Sequence, residues 1–93
     1  GPADMSISYG LQPKFDVKED PVYSNIKLIA KKAQEYNKIA GIHNGTTKYA
    51  KEMIDLGYKF ITISSDFRAM TAFAQNVVNE MKNLDQKKEE QTY

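Results

Sequence analysis

Cysteine is absent from the chain, and histidine and arginine occur once each, as His43 and Arg68. Without thiols there is no disulfide, no thiolate metal site and no cysteine nucleophile. No apolar run approaches the roughly 18 residues that a membrane-spanning helix needs. The N-terminus lacks the basic and apolar regions of a signal peptide. An excess of charge is missing too: 13 lysines and arginines stand against 12 acids, interspersed, for a net charge of +1. Nucleic-acid binders usually carry a basic stripe with interleaved aromatics, and none is visible. These absences lead us to expect a cytoplasmic protein with neither nucleic acid nor a membrane as partner.

What is present suits one small domain. The 93 residues are 41% hydrophobic and 27% charged, within the ordinary globular range. A chain this short hides only about 60–65% of its unfolded surface, so its core is small.

Residues 1–20 are rich in turn formers (Gly1, Pro2, Gly10, Pro13, Asp16, Asp20). They show no sustained periodicity and read as a loop holding at most one short helical turn. From Pro21 the pattern changes. Asp20 suits an N-cap and Pro21 the first helical position. Val22, Ile26, Ile29, Ala30 and Ala33 then recur at helical spacing, predicting an amphipathic helix to about residue 36 or 37. Residues 39–42 are a short apolar run without alternation, as in strands buried on both faces. The stretch from His43 to Thr47 reads as a loop ending in hydroxyl residues that can cap a helix. Tyr49, Ala50, Met53, Ile54 and Leu56 form the apolar side of that helix, and Gly57 is placed to end it. Residues 59–64 are the clearest strand, rich in β-branched side chains.

Ser65 and Asp66 offer caps for a last helix, with Met70, Phe73, Ala74, Val77, Val78 and Met81 at apolar positions. Residues 84–93 read as a polar tail, frayed or without fixed structure. The order is loop, helix, strand, helix, strand, helix. A strand–helix–strand unit with a short connection implies two parallel neighbours. Two parallel strands alone leave both edges open, so the pattern reads as part of a repeated βα architecture.

Asp4 follows Gly1-Pro2-Ala3 at the very start of the chain, a carboxylate on what reads as a turn. The run from Gly1 to Ser6, with Gly10 after it, resembles the sixth-strand signature of the class II pyruvate-dependent aldolases, the HpcH/HpaI aldolase and citrate lyase family. Three later features keep the family's order: Asp20-Pro21-Val22 opening a helix, Ala40-Gly41-Ile42 on a strand, and Leu56 to Ile61 leading to Ser64-Ser65-Asp66. The resemblance spans residues 1–83. It implies an α/β fold, the C-terminal part of a (β/α)₈ TIM barrel: strands 7 and 8 with helices 6, 7 and 8. Such a barrel needs roughly 250 residues, so the N-terminal remainder is an expected partner. The resemblance further implies a homo-oligomer, trimer or hexamer, with the last helix at a subunit interface; ordinary packing on the barrel would suit that stripe equally.

The implied reaction is metal-dependent, reversible aldol cleavage of a 4-hydroxy-2-oxo acid, or a 2-keto-3-deoxy sugar acid, to pyruvate and an aldehyde. A divalent cation (Mg²⁺, Mn²⁺ or Co²⁺) would stabilise the enolate as a Lewis acid. By resemblance Asp4 is one of its two carboxylate ligands, the other being a Glu outside this chain. The backbone N–H groups of Ala3 and Asp4 would hold the pyruvate carboxylate. Two plainer readings stand beside this: Asp4 as a turn or capping residue, and Gly1-Pro2 as a remnant left by a protease.

His43 ends a strand, on the active-site face of a barrel, where the family usually has an apolar residue. It is read as lining the pocket and binding substrate rather than as the catalytic base. Ser65, just past the last strand, is read as lining the site or capping a helix. Asp66 is read as a cap, and Arg68 as solvated or at an interface. The single glycine in Asn44-Gly45-Thr46-Thr47 is a weak phosphate signal. No catalytic acid or base is assigned to this segment. A reading of another class also remains: a non-catalytic α/β interaction module that oligomerises through its open sheet edges and last helix.

Overall fold

The computed structural model describes residues 1–92, with side-chain surroundings through residue 84; Tyr93 lies outside the described residues. In chain order it has α1 (Pro2–Ser8), α2 (Val22–Glu35), β1 (Gly41–Asn44), α3 (Thr47–Leu56), β2 (Phe60–Ile63) and α4 (Asp66–Thr92). The strands pair in parallel as a two-stranded sheet, with Gly41 opposite Phe60 and His43 opposite Thr62. This mixed α/β arrangement matches the strand–helix–strand unit expected above and fits a piece of a barrel; a closed barrel is more than these residues contain.

Helix α2 forms because its apolar residues return every three or four positions. Val22, Ile26 and Ala30 are buried on the inner side, and lysines occupy much of the other. Asp20 caps it from one position earlier than expected: Pro21 takes the N-cap place, and Asp20 Oδ1 accepts from the Ser24 N–H (3.0 Å) and hydroxyl (2.6 Å). These bonds hold the exposed Asp20 carboxyl below the usual carboxylate range. Helix α3 starts on Thr46, whose hydroxyl accepts from the Tyr49 N–H, and stops on Gly57. Gly57 has φ 112°, where a side chain would strain the backbone.

Helix α3 packs on both strands, α2 on α3, and α1 on α2. Val17, Val22, Ile26, Ala30, Ala40, Ile42, Tyr49, Met53 and Tyr58 form the core, joined at the edge by Met5 and Leu56. Full burial of a side chain such as Ile26 or Met53 contributes about 1.5–3 kcal/mol. Tyr58 closes the core by donating its hydroxyl to the Ile26 carbonyl (2.7 Å), and burial pushes its pKa up.

Three expectations are corrected. Residues 2–8 are a helix rather than part of a loop. Pro2 supplies the helical φ at the first position, and the segment buries only Pro2 and Ser6, too few and too mixed for a visible period. Strand β1 begins two residues later than the apolar run, so His43 and Asn44 belong to it; Ile39, which opens the run, is exposed. The sheet is covered on one face only. Ile42 and Asn44 are buried, while Gly41, His43, Phe60 and Thr62 lie on an open face.

Helix α4 departs most from a packed element. Its apolar stripe is present, but Phe67, Met70, Phe73 and Met81 are exposed. The polar stretch expected as a tail continues this helix to Thr92. No helix among the described residues is long and apolar enough to cross a membrane.

Candidate active site

The start of α1 gathers several unpaired polar groups. Gly1 is the N-cap, and the first helical bond runs from the Met5 N–H to the Gly1 carbonyl (2.9 Å). Pro2 has no N–H, so Ala3 and Asp4 carry the first amide donors, which have no partner inside the helix. The Asp4 carboxylate turns back toward Gly1: a Cβ placed on Gly1 would stand 2.8 Å from Asp4 Oδ2. Ser6, buried one turn on, returns its hydroxyl to the Pro2 carbonyl (3.0 Å) and fixes the turn that carries these groups.

His43 reaches the same region from the end of β1. Its Nδ1 lies 2.8 Å from Thr62 Oγ1 on the neighbouring strand. Phe15 meets the imidazole edge-on, with ring centroids 6.4 Å apart. Arg68 lies 4.3 Å over the other side chain of that contact, Phe15, in a cation–π arrangement rather than simply in solvent.

Between these elements lies a cavity of about 330 Å³, lined by Gly1, Pro2, Ala3, Asp4, Lys14, Phe15, Asp16 and His43. Ala3, Asp4 and His43, chosen from the sequence, thus share one cavity although 39 positions separate Asp4 from His43. Ser65 is not on its lining; its hydroxyl accepts from the Arg68 N–H (3.2 Å) at the start of α4. Asp66 accepts from the Phe67 N–H (2.7 Å) in the same place.

The cavity offers amide donors at the Ala3 end, a free carboxylate at Asp4 and an imidazole with one nitrogen engaged by Thr62. Lys14 is held by Glu19 Oε1 at 2.9 Å. Asp16 Oδ1 accepts from the Gly45 N–H (2.8 Å) and Oδ2 from the Thr46 hydroxyl (2.7 Å). Among the described residues no group of three His, Asp or Glu side chains could hold a metal ion. Asp4 offers one carboxylate of the kind a hard divalent cation takes, a single ligand where such an ion needs several.

Beside the cavity, Tyr49 donates its hydroxyl to the Val17 carbonyl. Burial first, then the Asp16 charge, pushes its pKa up to about 12. Next to His43, Asn44 is fully buried and donates to the carbonyls of Ile42 (3.1 Å) and Thr62 (3.0 Å), while its Oδ1 has no donor among the described residues. Sequence reasoning missed Lys14, Phe15 and Asp16. They sit in a loop without periodicity or motif, and only folding brings that loop onto β1.

No family model matches the chain. A protein of Rhizorhabdus wittichii named hydroxypyruvate/pyruvate aldolase is similar to it, 29% identical over 84 residues. That match takes in 90% of this chain and 34% of the relative, so the chain spans about a third of the length of the curated protein it matches.

Proposed function

We propose that this chain forms the C-terminal part of a pyruvate aldolase of (β/α)₈ class, with β1 and β2 as its last two strands. The observation that carries the reading is the meeting of the Ala3–Asp4 helix end with His43 on one cavity. The open face of the parallel sheet supports it as well, since parallel sheets are normally covered on both faces. The similarity to an aldolase-named protein over nearly the whole chain is independent support.

In this reading the substrate is a 4-hydroxy-2-oxo acid or a 2-keto-3-deoxy sugar acid. Its carboxylate accepts from the free N–H groups of Ala3 and Asp4, where the positive end of the short helix adds to the attraction. Asp4 would be a ligand of a divalent cation (Mg²⁺, Mn²⁺ or Co²⁺), which when bound supplies Lewis-acid stabilisation of the pyruvate enolate. In cleavage the C3–C4 bond breaks as the 4-hydroxyl loses its proton, and the bonding pair moves into the enolate, which takes a proton at C3 to give pyruvate. The base comes from residues outside this chain. His43, steadied by Thr62 and Phe15, stands on the aldehyde side as a substrate-binding group. Ser65 takes no substrate contact in this reading, since it stands off the cavity lining as the cap of α4. The exposed stripe of α4 suits a subunit interface in a trimer or hexamer.

Pyruvate release by the full-length polypeptide that carries these residues tests the reading. Activity is expected to be lost in EDTA and in Asp4→Ala, and to return with added Mn²⁺ only in the unsubstituted protein. Activity that survives both treatments overturns the metal mechanism.

The exposed stripe of α4 and the open sheet edges also favour a second reading, a non-catalytic module that oligomerises through them. A well-folded, metal-indifferent oligomer of the isolated chain in size-exclusion chromatography would support it; an aggregating chain supports the aldolase piece.

A further inference from the structure

Asp16 lines the cavity, yet both its oxygens are spent elsewhere, on the Gly45 N–H at 2.8 Å and the Thr46 hydroxyl at 2.7 Å. One side chain therefore ties the loop of residues 11–20 to the corner after β1, some 29 positions on. Thr46 passes the tie into α3, since its hydroxyl donates to Asp16 and accepts from the Tyr49 N–H (3.2 Å). Asp16 itself has φ 54°, a left-handed conformation that few residues other than glycine adopt and that Asp tolerates better than most.

Phe15, the residue before it, is 53% exposed, so burial does not fix its ring against His43. Its backbone is fixed instead by the Asp16 clamp. The fit is close: a Cβ on Gly45 would stand 3.0 Å from Phe15 Cβ and 3.3 Å from Asp16 Oδ2. Arg68 holds the ring from α4. Asp16 is not needed as the α3 cap, because Thr46 fills that place, and with both oxygens engaged it is a poor ligand.

We propose that Asp16 is a positioning residue for the aldehyde side of the site: its carboxylate sets Phe15 against His43 and so sets where the imidazole stands on the cavity. The word aldehyde rests on the aldolase reading; the geometry of the clamp does not.

The test uses the full-length protein labelled with ¹³C-histidine, with His43→Gln to identify the His43 signal. Asp16→Ala is expected to shift that signal. It should also raise KM for the aldehyde in the condensation direction about five- to tenfold, less than the full worth of the two charge-assisted hydrogen bonds lost, because Asp16 acts on the substrate only through Phe15 and His43. KM for pyruvate and kcat should stay within about twofold, because the pyruvate end of the site is untouched. Asp16→Asn keeps an acceptor for the Gly45 N–H and is expected to restore most of both readouts. A lower kcat with both KM values unchanged would mark a merely structural residue and overturn the proposal, and so would an unmoved His43 signal in Asp16→Ala. Should Asp16→Ala fail to fold, Phe15→Leu at its exposed position serves instead: the same shift and the same rise in aldehyde KM support the proposal, and no change in either ends it. If the unsubstituted protein makes and cleaves no aldol, the aldolase reading falls, and the His43 signal alone then decides the role of Asp16.

Discussion

Helices α3 and α4 carry apolar stripes of the same kind, but the fold treats them differently. On α3, Tyr49, Ala50 and Met53 are at most 2% exposed, covered by α2 and the sheet. On α4, Met70 and Phe73 are 69% and 72% exposed. Spacing therefore tells which side of a helix is apolar, not what lies against it. The layer from Val17 to Tyr58 closes on itself, while α4 and the open sheet face leave apolar area of the sort that marks an interaction surface.

The comparison can be pressed hardest at Met53. Met53→Ala is expected to lower the unfolding free energy by about 2–5 kcal/mol, the range for emptying a packed site. Urea titration followed by circular dichroism would read this, and a loss below about 1 kcal/mol would mean that the α3 face is looser than its burial implies.

A middle-sized effect is expected at Tyr49. Tyr49→Phe strands the Val17 carbonyl and should cost about 1–3 kcal/mol near neutral pH. Because the folded Tyr49 pKa is raised to about 12, above the ordinary tyrosine value of about 10, the unfolded chain gives up this proton first as pH rises. Stability contributed by the protonated hydroxyl is thus present below pH 10 and lost between about 10 and 12. The gap between Tyr49→Phe and the unsubstituted chain should narrow across that interval in paired thermal melts; a constant gap would count against the buried hydroxyl.

The smallest effect belongs to α4. In the isolated chain Phe73→Ala should change stability by less than about 0.5 kcal/mol, as for an exposed position. In the full-length protein the same substitution is expected to cost several times more, since the proposed barrel or a neighbouring subunit would cover it. Equal and negligible effects in both would leave the stripe uncovered and weaken the barrel reading.

Much of this layer was legible in the sequence. Val22, Ile26 and Ala30 announce α2 by spacing, Thr46 and Gly57 punctuate α3, and β-branched residues mark β2. Strand β1 was harder to bound, because its limits follow pairing with β2 rather than the apolar run that begins at Ile39. Helix α1 was hidden because one of its two buried residues is a serine. At the site, Asp4 stood out in a motif and His43 at a strand end. Asp16 could not, since its role depends on a left-handed backbone and on partners far along the chain.

The clamp on Gly45 bears on how the protein ages. Asn44-Gly45 is a sequence pair prone to lose ammonia when the glycine nitrogen attacks the asparagine side-chain carbon and closes a succinimide ring. Here the Asn44 amide is buried and fastened to both strands, and the Gly45 nitrogen is engaged by Asp16. The folded corner holds the two reacting groups in place and keeps the Asn44 amide from water, so the same bonds that shape the cavity slow its chemical decay, and that protection lasts only while the corner stays closed.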